Sequence, residues 1–226
     1  MMGETNGCIP VINLQEFPNP AECKKLREAC EERGCFRFVN HKISLKLIAE
    51  MKNVMSSLLE LPMKIEKQNK TVIPGSGYIL PGVISPIFEG LGLYEIGSSR
   101  AVQEFCSKLE VSPNQREIIE KYGQALQELA RDIERKLVRR FLTILHENEK
   151  VSVLEVMDRC GAYVPVQPFS GTLFVNPGDL ANAWSYGMFE TWSIKYSAKK
   201  GIPEYQWLCF SCHPQRQPPS KPRWNW

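Results

Sequence analysis

The chain has 226 residues, 43% apolar and 23% charged, with 28 Lys and Arg against 25 Asp and Glu for a net charge of +3. That composition excludes a disordered, collagen-like or disulfide-knotted chain, and the length suits one domain or a domain with an added lobe around a real core. The small net charge argues against nucleic acid as a partner, and no apolar run reaches the roughly 18 residues of a membrane span.

The first residues, Met1 to Pro10, have no basic n-region and no apolar h-region. A cytoplasmic location is therefore expected, with the eight cysteines mostly buried thiols rather than bridges. Ile9 to Leu14 reads as a short β-rich run. Ala21 to Arg33 is helical, with Leu26, Ala29 and Cys30 on one face and Gly34 as the stop. Cys35 to Asn40 alternates like a strand with one buried face. Ser44 caps a helix to about Leu61, with Leu47, Ile48, Met51, Met55, Leu58 and Leu59 at helical spacing. Pro62 starts a short helical piece to Gln68, and Thr71 to Gly97 is a loop or hairpin punctuated by Gly and Pro.

Ser99 to Leu109 is a further helix. Ser112-Pro113-Asn114-Gln115 is a capping-box start with Pro at the first helical position. The helix that follows is the longest, with Ile118, Tyr122, Ala125, Leu126, Leu129, Ile133 and Leu137 in one stripe. Strands follow at Phe141–Leu145, Val151–Met157, Ala162–Val166 and Thr172–Asn176. Helices first and antiparallel strands afterwards predict an α+β fold whose second half is a sandwich or jelly roll.

The end of the chain differs from the rest. Six basic residues (Lys195, Lys199, Lys200, Arg216, Lys221, Arg223) and two acidic ones (Glu190, Glu204) fall after residue 189, with four of the five tryptophans.

Several segments together carry a family resemblance. Ile9 to Leu14, Ala29 to Phe36 with Val39-Asn40-His41, Leu61-Pro62 with Glu66-Lys67, and Gly77-Tyr78 resemble the N-terminal lobe of plant 2-oxoglutarate/Fe(II)-dependent dioxygenases. Phe141 to Leu145, Leu154 to Asp158 and Thr172 to Asp179 resemble the catalytic jelly roll of that family. Pro86 to Tyr94 and the start of the chain are most similar to the branch that oxidises auxin. The resemblance implies an N-terminal helical lobe on a double-stranded β-helix. It implies Fe(II) in a two-His-one-carboxylate site and 2-oxoglutarate held by an Arg-x-Ser pair. The implied substrate is a small plant metabolite such as an auxin.

Carried over residue by residue, that site is missing. The slots of the His-x-Asp pair hold Lys136 and Val138, on a helix that runs straight into Phe141, as though intervening strands were lost. The second metal histidine should follow Trp184-Ser185-Tyr186-Gly187, where Thr191 to Tyr196 contains none. The Arg-x-Ser pair is absent too. No catalytic, cofactor-binding or metal-ligating residue is therefore assigned, and the chain is expected to be an inactive relative. The alternatives are a non-catalytic binding protein or a defective gene product.

A changed reading frame near Glu190 accounts for the odd end. One permitted codon spelling of Thr191 to Lys200, regrouped by one base, reads Asn-Val-Glu-His-Lys-Val, with the lost His straddling Ser193 and Ile194. The codons of Pro203 to Gln206 regroup to Arg-Ile-Ser. The expected organisation is thus a lobe at 1–110, a long helix with an incomplete jelly roll at 111–189, and an aberrant tail at 190–226. Lost strands should leave the helix stripe or a sheet face partly uncovered, and the protein poorly soluble.

Other motifs are weaker. Cys209-Phe210-Ser211-Cys212-His213 fits a C-x-x-C-H spacing, but covalent haem requires export and zinc requires a fourth ligand, so the spacing reads as accidental. His146-Glu147-Asn148 reads as a polar turn after a strand. His41 and Asp179 read as local hydrogen-bonding residues rather than iron ligands. The basic, Trp-rich end reads as a loose tail rather than an RNA site.

Overall fold

A computed structural model describes residues 9–71, 76–80, 83, 89–137, 142–146, 154–157, 160–176, 193–196 and 208–212. Strand β1 (Val11–Asn13) leads through a 3-10 turn into α1 (Pro20–Glu28). Asn19 caps α1 by accepting from the Ala21 amide, and Pro20 sits in the first turn. A π-helical turn, Ala29–Arg33, ends at Gly34 with φ 63°, a left-handed conformation that glycine adopts without a Cβ penalty.

Strand β2 (Phe36–Val39), helix α2 (Leu45–Leu58) and the one-turn α3 (Met63–Glu66) follow. The hairpin β3 (Gly77–Ile79) and β4 (Gly90–Gly92) then precedes α4 (Ser99–Lys108) and α5 (Pro113–Leu137). At the start of α5 the Gln115 amide donates to Ser112 Oγ at 3.3 Å, and the Ser112 amide donates to Gln115 Oε1 at 3.1 Å. This is the reciprocal capping box that the sequence predicts.

The remaining strands are β5 (Leu142–His146), β6 (Leu154–Met157), β7 (Tyr163–Pro165), β8 (Leu173–Asn176), β9 (Ile194–Tyr196) and β10 (Leu208–Cys212). They form two sheets, ordered β1-β2-β8-β5-β10 and β7-β6-β9. Only the β1–β2 pair is parallel in these sheets.

The larger sheet separates two cores. Leu173, Val175, Ile144, Phe36 and Phe38 face the helices, where they meet Ile48, Met51, Leu126 and Ile133. Phe174, one residue out of step with its neighbours, joins Cys35, Leu154, Val156 and Val166 between the sheets. The alternation of side chains along β8 therefore serves both layers.

Four expectations change. Strand β2 is buried at Phe36, Arg37 and Phe38, because β1 and β8 flank it and both of its faces are covered. The N-terminal strands therefore belong to the jelly-roll sheet rather than preceding it. On α5 the fully buried residue is Ile119 rather than Ile118, and Tyr122, Leu126, Leu129 and Ile133 are covered with it, so this stripe is not left open. The tail also contributes structure, since β9 pairs with β6 and β10 pairs with β5.

Candidate functional site

The three histidines limit any two-histidine metal site, so their positions come first. His41 follows β2 and is 5% exposed. The Ile43 amide donates to its Nδ1 at 3.3 Å. A second bond joins the ring to the Gly171 backbone and favours the charged form. Burial outweighs that bond and holds the imidazole below its ordinary pKa of 6.5. These bonds join the β2–α2 loop to the turn before β8. The structure bears out the local hydrogen-bonding role expected for His41.

His146 is not in a turn. It is the last residue of β5, opposite Leu208 of β10. Pairing extends that strand one residue beyond the apolar run, which is why the polar residues after it suggested an earlier end. His213 lies outside the described residues.

Both cysteines of the C-x-x-C spacing, Cys209 and Cys212, lie in β10. Among the described residues no group of three His, Cys, Asp or Glu side chains is placed to hold a metal. Lys136 lies in the last turn of α5. Val138, Asp179, Trp184 to Gly187 and Thr191 to Trp192 lie outside the described residues.

A cleft of about 280 Å³ lies beside His41, between the β2–α2 loop and α5, and is lined by Leu14, Lys42, Ala125, Leu129 and Asp132 among others. A second, of about 320 Å³, lies between the β3–β4 hairpin and α4. Two buried polar centres were not singled out from sequence. Arg37, 3% exposed, donates from Nη1 to Thr172 Oγ1 at 2.9 Å and from Nη2 to the Gln167 carbonyl at 2.8 Å, with Phe174 beneath it. It ties β2 to the segment between β7 and β8. The other centre, Glu66 with Tyr78, shows in sequence only as part of the family motif.

Two family models match the chain. The N-terminal region of a non-haem dioxygenase in morphine synthesis covers residues 9–82, and the 2OG-Fe(II) oxygenase superfamily covers residues 110–193. The 2-oxoglutarate-dependent dioxygenase DAO of Oryza sativa subsp. indica is 30% identical over 257 positions, spanning 95% of this chain and 86% of the relative. Since 257 exceeds the whole of this chain, the rice protein carries internal residues that have no counterpart here. A solved structure of dioxygenase for auxin oxidation 1 from Arabidopsis thaliana, in binary complex with 2-oxoglutarate, superposes with a TM-score of 0.82 at 34% identity. It covers 92% of this chain and 94% of that one. The dioxygenase for auxin oxidation in rice superposes with a TM-score of 0.79 at 29% identity, covering 92% and 84%.

Proposed function

Because the chain belongs to the 2-oxoglutarate/Fe(II)-dependent oxygenase superfamily, beside dioxygenases for auxin oxidation, we propose that it descends from an auxin-oxidising enzyme and no longer assembles the iron centre. The observation that carries this reading is the donor set. His41 Nδ1 accepts from the Ile43 amide, and the ring also bonds the Gly171 backbone. His146 ends β5 opposite Leu208, and Lys136 and Val138 stand where the family's His-x-Asp pair belongs. In the family the iron and 2-oxoglutarate supply the oxidising chemistry. This chain offers neither the triad nor the Arg-x-Ser clamp.

The proposed organisation remains a lobe at 1–110, a long helix with a partial jelly roll at 111–189 and a tail from 190. The superfamily match ends at residue 193, close to the frame change proposed near Glu190. The alignment with the rice relative spans 95% of the chain and so runs on into the tail. Its extra internal residues support loss of a segment from within this chain. Sequencing the transcript over residues 130–226 tests both ideas, and the frame change is refuted if Ser193 is not encoded by AGC.

The activity reading has its own test. Anaerobic Fe(II) with 2-oxoglutarate should give no visible charge-transfer band, and 2-oxoglutarate should not be consumed in air. A band accompanied by turnover overturns the reading. Two close-packed cores on either side of one sheet favour a folded, non-catalytic binder of a small ligand over a defective product. Nucleic acid is not the proposed partner. A soluble monomer with one sharp melting transition would support the binder, and aggregation on expression would support the defective product.

A further inference from the structure

One cluster of polar groups lies outside the iron question: Glu66 at the end of α3, Tyr78 in β3 and Glu89 just before β4. Glu66 is 2% exposed and Tyr78 8% exposed. The Tyr78 hydroxyl donates to Glu89 Oε1 at 2.5 Å, and Glu66 bonds the same hydroxyl. A phenol carries a single proton. Once that proton is given to Glu89, Glu66 can bond Tyr78 only as the donor, which requires its acid form.

The remaining oxygen agrees. Glu66 Oε1 has no hydrogen-bond partner among the described residues. On a carboxylate that orphan would be part of a buried, under-solvated charge. On a carboxylic acid it is a neutral carbonyl, with a much smaller penalty. The surroundings point the same way. Burial and the Glu89 carboxylate both disfavour ionisation of Glu66, and the Tyr78 hydroxyl favours it only if its proton turns from Glu89 to Glu66. Lys64 and Lys67, beside it on α3, are exposed, as is Lys70. Residues 71–89, which include all of β3 and lead into β4, contain no Lys, Arg or His.

We propose that Glu66, Tyr78 and Glu89 form a proton-dependent latch, in which one proton held between the two carboxyl groups through the Tyr78 hydroxyl fastens the β3–β4 hairpin to α3. Opening is loss of the Glu66 proton to water. It leaves two carboxylates facing one hydroxyl, and the hairpin is released. Gly77 and Gly92 of that hairpin line the 320 Å³ cleft against α4, so the latch governs one wall of that cleft. This goes beyond the reading of the iron site and stands or falls separately from it.

The test is hydrogen exchange at the Tyr78 amide, which donates to the Asn69 carbonyl at 2.8 Å, followed from pH 4 to 9 and corrected for intrinsic exchange. In the native chain the opening constant should rise by up to tenfold per pH unit from the ordinary Glu pKa of 4.5 to the raised pKa of Glu66 in the closed latch and level off above it, the signature of one linked proton. Glu66→Gln keeps the size and a donor and should abolish the rise. Infrared spectroscopy should show a carboxylic-acid carbonyl band that persists above the ordinary Glu pKa of 4.5 and that Glu66→Gln removes. Glu89→Gln, which takes away the repelling charge, should move the levelling-off to lower pH. The latch is overturned if no such acid band exists, if Glu66→Gln keeps the native pH dependence, or if Glu89→Gln leaves the levelling-off in place. Should Glu66→Gln fail to fold, the native band and the Glu89→Gln shift still decide.

Discussion

Replacing Gly123 by Ala should destabilise the protein, although the same exchange in an exposed helix adds stability. Gly123 is buried in α5. A Cβ placed there would lie 2.4 Å from the Ile96 carbonyl oxygen and 2.9 Å from Ile96 Cγ1. Helix propensity favours Ala over Gly by about 1 kcal/mol. Overpacking costs roughly 1–3 kcal/mol, and the upper part of that range, about 2–3 kcal/mol, applies because here the neighbour is main chain and cannot turn aside. The net expectation is a loss of about 1–2 kcal/mol, or a Tm lower by roughly 2–8 °C for a chain of this size. Urea and thermal unfolding of both proteins measure it. Gly97→Ala is the control, since its Cβ would meet only the side chain of Gln127, at 2.6 Å. That flexible amide can swing away, and the change should stay within about 0.5 kcal/mol. A Gly123→Ala protein as stable as the parent would refute the close approach of α5 to the turn before α4.

Ser112→Ala removes one arm of the capping box and should lower stability by about 1 kcal/mol, seen as a lower urea midpoint with unchanged slope. His41 has a folded-state pKa below its ordinary 6.5, so the unfolded chain takes up the proton first. Stability should therefore fall as pH drops below about 6.5, and His41→Gln should flatten that limb of the stability profile. Glu66 acts in the opposite direction: its folded-state pKa is raised above the ordinary 4.5, so its contribution is lost as pH rises from there to the folded-state pKa, and the two opposing limbs are separated by variant. Burial pushes the thiols of Cys30 and Cys35 up to about 12. Both should resist alkylation in the native protein, whereas the exposed Cys160 should be modified first in a peptide map.

Features set by three or four consecutive residues were legible in the sequence. The capping box at Ser112, the stop at Gly34 and the helical stripes of α2 and α5 need only backbone geometry and an apolar period, and all are present. The family was legible for a related reason, because its motifs are short runs in a fixed order.

Long-range pairing decided the rest. The local pattern of Phe36 to Val39 could not show that a second sheet lies against Arg37. That burial depends on β8, which is more than 130 residues away in sequence. Nor could sequence show that tail residues 194–196 and 208–212 join the two sheets. The bonds of His41, and the single proton between Glu66 and Glu89, arise between chain segments brought together only by folding. Composition and local pattern determined which groups this protein has. Tertiary structure decided which of them share a site, because hydrogen bonding and desolvation act over a few ångströms of space rather than along the chain.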